Sequence, residues 1–190
     1  MPIYVCSDLH FNHTNILGFC RSNFTTIEEH NEYIIKQYNS VVGKDDLVYI
    51  LGDVGFTPEK ALSELVKRLN GRKILLVGNH DKLTDREYRA MGFIDVVRHP
   101  IYYNTHIILS HVPVEEAYNS EYVINVHGHL HKDHIVNLPN FFNVNVELND
   151  YKPINMEIFE KQAERMCLRN RWAPFGKEWY AQWEKERNKV

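Results

Sequence analysis

Five short apolar runs in this chain each end on side chains able to bind a divalent cation. IYVCS (Ile3 to Ser7) passes into Asp8 and His10, LVYIL (Leu47 to Leu51) into Gly52 and Asp53, and KILLV (Lys73 to Val77) into Gly78, Asn79, His80 and Asp81. HIILS (His106 to Ser110) ends at His111, and YVINV (Tyr122 to Val126) at His127, Gly128, His129, Leu130 and His131. Aspartate oxygens, imidazole nitrogens and one asparagine oxygen, with no thiolate among them, suit manganese, iron, zinc or nickel. Seven such groups suffice for two ions rather than one. Two divalent cations carry four positive charges and only Asp8 and Asp53 offset them, leaving an excess of about two. A site of that charge attracts phosphate. Gly52, Gly78 and Gly128 each precede a candidate ligand, where a side chain would crowd the turn.

The elements that must carry these groups follow from the pattern. The five runs are rich in β-branched and aromatic residues and read as buried strands. Between the first three lie helical stretches. TTIEEHNEYIIKQYNSVV offers Thr25 or Thr26 as N-cap, Glu28 and Glu29 in its first turn, and Ile27, Ile34 and Tyr38 on one face, and stops at Gly43. TPEKALSELVKRLNG has Thr57 as cap, Pro58 at the first helical position, a stripe of Leu62, Leu65, Val66 and Leu69, and Gly71 as stop. A shorter helix begins at TDREYRAMG. Strands alternating with helices imply an α/β arrangement with a mainly parallel first sheet, in which strand ends converge on one crevice. From about Phe93 the strand-like pieces FIDVV, PIYYN, HIILS, YVINV, HIVNL and FFNVNVEL outnumber helices, so a mixed second sheet is expected there. KPINMEIFEKQAERMC and the following stretch to Val190 read as two helices broken at Pro174 and Gly176, with Trp179 and Trp183 on a shared face. That tail either packs on the body, covers the site as a lid, or forms a dimer contact.

Composition narrows the class. With 190 residues, 44% apolar and 25% charged, the chain suits one globular domain. A net charge of −3 gives no global attraction to nucleic acid or anionic membranes, so local charge must hold any anionic substrate. Three scattered cysteines (Cys6, Cys20, Cys167) form no disulfide framework and fit a reducing compartment. The start, MPIYVCSDLHFNH, lacks a signal-peptide layout, and no run approaches the roughly 20 apolar residues of a membrane span. A soluble, cytoplasmic protein is expected.

The series D-x-H (Asp8, His10), G-D (Gly52, Asp53), G-N-H-D (Gly78 to Asp81), H (His111) and G-H-x-H (Gly128 to His131) resembles the calcineurin-like metallophosphoesterase superfamily. The length and the opening DLHFNHTNI resemble its small stand-alone bacterial and phage members. The resemblance implies an α/β fold in which a two-sheet β-sandwich is flanked by helices. It would form one domain over 1–190, with a core to about 165, a helical tail over about 166–190, and a dinuclear centre at the sandwich edge. It also implies that Asp8, His10, Asp53 and His131 hold one ion, that Asp53, Asn79, His111 and His129 hold the other, and that Asp53 bridges them. His80 would face the substrate with Asp81 as its orienting partner. Manganese is the first choice of metal, with iron, zinc or nickel as alternatives. One departure is visible: where many members read G-D-x-x-D, this chain has GDVGF, with Phe56 in the last place.

The implied reaction is hydrolysis of a phosphate ester, preferably a phosphodiester of a nucleotide or related small molecule. Two metals make a water nucleophilic near neutral pH and neutralise the phosphoryl oxygens. His80 supplies a donor to the leaving oxygen. Asn12 and His13 follow the first motif closely enough to line the same mouth, and Arg21 could grip a phosphate by its fork; each can equally be a loop or surface residue. His127 reads as a core or supporting histidine, His30 and His99 as surface or helix-end residues, and His134 as ambiguous. The alternatives are a phosphomonoesterase, a nuclease acting on single strands, and a metal-binding module without turnover. The His80-Asp81 pair argues against the last, and the net charge poorly serves the nuclease.

Overall fold

A computed structural model describes residues 1–56, 58–120, 122–132 and 138–171, with side chains through 167. Five strands form the first sheet: β1 (Ile3–Cys6), β2 (Leu47–Ile50), β3 (Arg72–Leu76), β4 (Phe93–Val97) and β9 (Ile154–Asn155), in the order β4-β3-β2-β1-β9. β1 to β4 are parallel, with Val5 opposite Tyr49 and Tyr49 opposite Ile74; β9 pairs antiparallel to β1. The second sheet holds β5 (Ile101–Asn104), β6 (Ile107–Leu109), β7 (Ile124–His127) and β8 (Phe141–Asn143) in chain order. It is mixed: β6, β7 and β8 are parallel and β5 is antiparallel to β6.

Alternation along the first sheet divides two cores, because successive side chains of a strand point to opposite faces. Cys6, Val48, Ile50 and Leu75 face α2 (Ile27–Val41), α3 (Glu59–Val66) and α4 (Asp85–Ala90), where they meet Ile34, Tyr38, Leu62, Val66 and Tyr88. Val5, Leu51 and Leu76 face the other way onto Ile107, Leu109, Ile124 and Val126 of the second sheet. Phe159 and Ala163 of α6 (Glu157–Arg171) enter that same inter-sheet core. The result is a two-sheet sandwich with helices outside it.

Local chemistry sets the helix ends. Thr26 caps α2 by accepting the Glu29 amide at 3.1 Å. Thr84 and Glu87 form a reciprocal capping box at α4. At α3 the cap position belongs to Pro58, whose ψ of 144° is extended, so the proline precedes the helix instead of opening it. Lys73, buried at the start of β3, donates Nζ to the carbonyls of Leu69 and Gly71 behind α3.

Several expectations are corrected. FIDVV extends the first sheet as β4 rather than opening the second. Two residues of the segment expected to begin the tail form β9 before α6 starts. Single-turn helices α1 (Ile16–Phe19) and α5 (Glu115–Tyr118) were not anticipated, and VEL within FFNVNVEL is a 3-10 turn rather than strand. α6 runs without interruption across position 165 to Arg171. The Thr57 cap, the HIVNL strand, His134, and the expected second tail helix with Trp179 and Trp183 lie outside the described residues. Among the described residues no helix is long and apolar enough to cross a membrane.

Candidate metal centre

All five ligand-bearing segments leave the carboxyl ends of parallel strands: β1, β2 and β3 from one sheet, β6 and β7 from the other. Backbone bonds stitch them together. The Asp8 amide reaches the Gly52 carbonyl at 3.0 Å, the His10 amide the Asp53 carbonyl at 2.9 Å, and the Gly128 amide the His111 carbonyl at 3.0 Å. Gly52 has φ +88°, and a Cβ there would lie 2.6 Å from both the Gly78 Cα and His111 Nδ1, so only glycine lets these turns meet.

Among non-glycine residues, Asp8, His10, Asn12, Asp53, His129 and His131 all adopt positive φ, between 48° and 67°. Each such backbone costs on the order of 1 kcal/mol or more, and the concentration of strain at one crevice is a mark of a functional site. Aspartate, asparagine and histidine tolerate this region better than most residues.

Two compact ligand groups result: Asp8, His10 and His131, and Asp53, His111 and His129, with ligand atoms inside each group within 4.8 Å of one another. Asn79 completes the second, its Oδ1 lying 2.8 Å from His111 Nε2 and 3.0 Å from His129 Nδ1. Asp53 Oδ2 stands between the groups, 3.4 Å from His111 Nε2 and 3.7 Å from His10 Nε2. The His129 amide closes the loop by donating to Asp8 Oδ2 at 3.0 Å.

The donors fit cations. Asp8 Oδ1 and both ring nitrogens of His10 are buried without a hydrogen-bond partner, a costly arrangement unless something else satisfies them. His111 Nδ1 faces the Leu51 carbonyl at 2.8 Å, so the proton belongs on Nδ1 and the Nε2 lone pair points at two more acceptors, Asn79 Oδ1 and Asp53 Oδ2. Converging lone pairs of this kind need a positive charge among them. Without a metal the protein supplies it by protonation: burial opposes a charge on His111, yet the Asp53 carboxylate overrides it and raises the imidazole to about 9. Asp53 in turn, despite burial, is held at about 2 by His111. Asp8 also lies below the ordinary carboxylate range, burial being outweighed by His10, Ser7 and His111.

His80 is exposed on the rim, its backbone N–H fixed to Asp53 Oδ1 at 2.9 Å. His13 and Phe56 form the adjoining wall, stacked at 4.1 Å between ring centroids, with Phe56 5.4 Å from the His80 ring and 6.2 Å from His10. Burial, then the neighbouring His10 and His80, push His13 down to about 4. Phe56 thus serves as an aromatic backing for the histidines.

Four residues lie elsewhere than expected. Asp81 does not turn to the His80 ring. Its buried carboxylate accepts the amides of Asp53 (2.8 Å), Val54 (3.0 Å) and Gly78 (2.8 Å), bracing the two loops that carry Asp53 and Asn79. Arg21 is fully buried and cannot reach a phosphate from solvent; it bonds the carbonyls of Asp8 and Leu9 and the carboxylate of Glu147. Asn12 points away from the ligands, paired with Asn31 through Nδ2–Oδ1 and amide bonds, and lines a groove of about 330 Å³ with Glu28, Glu32 and Glu64, an acidic surface unsuited to phosphate. His30 is buried, not superficial; its Nε2 lies 2.7 Å from Arg21 Nη1, and burial and that guanidinium depress it to about 3. His127 is buried, its Nδ1 on the Gly128 carbonyl at 3.0 Å, and His99 is exposed.

Two supporting residues went unnoticed in the sequence. Asn125, within the apolar run of β7, donates to the Ile108 carbonyl and Ser110 Oγ and accepts the Val114 amide, holding the chain on both sides of His111. A polar residue at a buried strand position was the available signal. Glu147 accepts from His131 Nδ1 at 3.0 Å and from Arg21 Nε at 2.7 Å; nothing in its neighbourhood in the sequence announces it.

Strands, crevice and ligands together define an α/β sandwich with a candidate metal centre at its edge. The family model of calcineurin-like phosphoesterases matches residues 1–186, and the chain belongs to that family. An uncharacterized protein of Methanocaldococcus jannaschii is 36% identical over 180 residues, covering 86% of this chain and 92% of its own. The gene 66 protein of mycobacterium phage L5 is 30% identical over 161 residues, 68% of this chain and 77% of its own. Among solved structures, a protein of unknown function from Aquifex aeolicus superposes with a TM-score of 0.65 at 29% identity, covering 85% of this chain and 98% of that one.

Proposed function

We propose that this phosphoesterase uses two divalent cations, manganese first among them, to hydrolyse phosphodiesters of nucleotides or related small molecules in the cytoplasm. The observation that carries the reading is the abutment of two ligand groups at Asp53 Oδ2, with the His80 ring exposed beside them. Cations held there would supply Lewis-acid charge to phosphoryl oxygens and bring a water's pKa toward neutrality.

The chain's own residues do the rest. Asp8, His10, Asp53 and His131 would hold one ion and Asp53, Asn79, His111 and His129 the other. The amide of His80, fixed to Asp53 Oδ1, sets the height of the imidazole above the ligands. From there its N–H can donate to the leaving oxygen, which matters most for a poor leaving group such as the alkoxide of a diester. The His13–Phe56 stack excludes water from one side of that donor.

The test is turnover of bis(p-nitrophenyl) phosphate against p-nitrophenyl phosphate after chelation and Mn(II) readdition. The diester should be the better substrate, and His80→Ala should harm hydrolysis of an alkyl phosphodiester, which expels an alkoxide, more than that of either p-nitrophenyl ester. Faster monoester turnover, or no metal-stimulated turnover of either, overturns the proposal.

A further inference from the structure

We propose that Glu147, seated on the buried Arg21, is a positioning residue that fixes the His131 imidazole for a cation at the Asp8/His10 group. The inference rests on His131 being a metal ligand and is indifferent to which ester is cleaved.

Glu147 Oε1 collects three donors: Arg21 Nε at 2.7 Å, His131 Nδ1 at 3.0 Å and Cys20 Sγ at 3.2 Å. A carboxylate oxygen only accepts, so the proton of the His131 ring belongs on Nδ1, leaving the Nε2 lone pair for the ligand group. The carboxylate is itself immobile. Its side chain is 1% exposed, that of Arg21 is 0% exposed, and the guanidinium is tied in three further directions, to the Asp8 and Leu9 carbonyls and to His30 Nε2. One buried cation therefore grips the backbone of the loop bearing Asp8 and His10, both at positive φ, and through Glu147 sets the ring that approaches from β7.

Cys20, His131 and Glu147 also lie close enough to suggest an ion site of their own. The Arg21 charge against Glu147 Oε1 opposes a second cation there, so the cluster acts on the ligand group rather than beside it. Among the described residues the other ligand group has no such device: His111 Nδ1 is oriented by the Leu51 carbonyl. Loss of Glu147 should consequently weaken one ion and spare the other.

Stripped protein titrated with Co(II), followed by bound stoichiometry and by hyperfine-shifted proton NMR, decides it. Wild type should take up two equivalents and show an exchange-protected Nδ1–H resonance that disappears in His131→Ala. In Glu147→Gln one equivalent should bind about tenfold to a hundredfold more weakly while the other is unchanged; Asn79→Ala should weaken the opposite one. Equal affinity of both equivalents in Glu147→Gln overturns the proposal. So does a wild type lacking the protected resonance, a measurement that needs no variant of Glu147 to fold. A wild type that binds no cobalt overturns the metal reading itself, whereas a preference for monoesters leaves the positioning role standing.

Discussion

Asp8, His10 and His131 stand on a floor of buried charge, Arg21 against Glu147, with His30 beneath. Asp53, Asn79, His111 and His129 stand on main chain: the Leu51 carbonyl orients His111, and the amides of Asp53, Val54 and Gly78 converge on Asp81. The first arrangement depends on long side chains brought from the loop after α1 and from the 3-10 turn at Val146–Leu148, the second on the loops that leave β2 and β3. Buried ion pairs contribute little net stability but are expensive to break from one side, whereas a carboxylate collecting amides behaves as part of the backbone ladder. The two halves should therefore fail differently.

The largest effect should come from Asp53→Asn, which strikes both halves. Bound metal should fall at both positions and turnover by more than about a hundredfold, beyond the usual effect of a supporting residue; metal analysis with activity assays checks this. His80→Ala should leave metal content intact while lowering diester kcat by about a hundredfold or more, which separates the rim from both ligand groups. Asp81→Ala orphans three amides and should cost roughly 3 kcal/mol or more in urea unfolding, loosening only the main-chain half.

Metal-free protein offers a pH contrast. His111 is raised to about 9 in the fold, so its contribution is full below its ordinary 6.5 and is lost as pH rises through 9. Glu147, held at about 2 because His131 and Arg21 outweigh its burial, contributes above its ordinary 4.5 and loses that as pH falls toward 2. His30, neutral in the fold down to about 3, adds a penalty as pH falls below 6.5. Thermal melts across pH should show His111→Asn flattening the alkaline limb and Glu147→Gln the acid one. The smallest effect should be Phe56→Leu, losing about 1 kcal/mol of ring stacking against His13, read as a slight drop in Tm with metal binding unchanged.

Sequence spacing made the crevice visible because strand, turn and ligand are contiguous: LVYILGD and KILLVGNHD each contain the element and what it presents. It also pointed to a second sheet, since short continuous runs of β-branched and aromatic residues mark buried strands whatever their partners. Partnership itself is not local, which is why FIDVV was assigned to the wrong sheet and why the two-residue β9 passed unseen. Arg21 and His30 were misjudged for a related reason. Charged and polar residues lie on the surface by default, and only a carboxylate 126 positions away makes the burial of Arg21 tolerable. Asp81 shows the limit from the other side: adjacency to His80 in sequence suggested a partner, but the turn directs the two side chains apart.

The span of that Arg21–Glu147 bond bears on biosynthesis. A chain emerging from the ribosome exposes Asp8, His10 and Arg21 well before their partners His131 and Glu147, the last of which follows Arg21 by 126 positions. Until then a lone guanidinium and a pair of unmatched ligands must stay hydrated. The Asp8 half of the crevice can therefore close only once Glu147 has emerged, while the β2 and β3 loops, 28 positions apart at Asp53 and Asp81, can settle earlier.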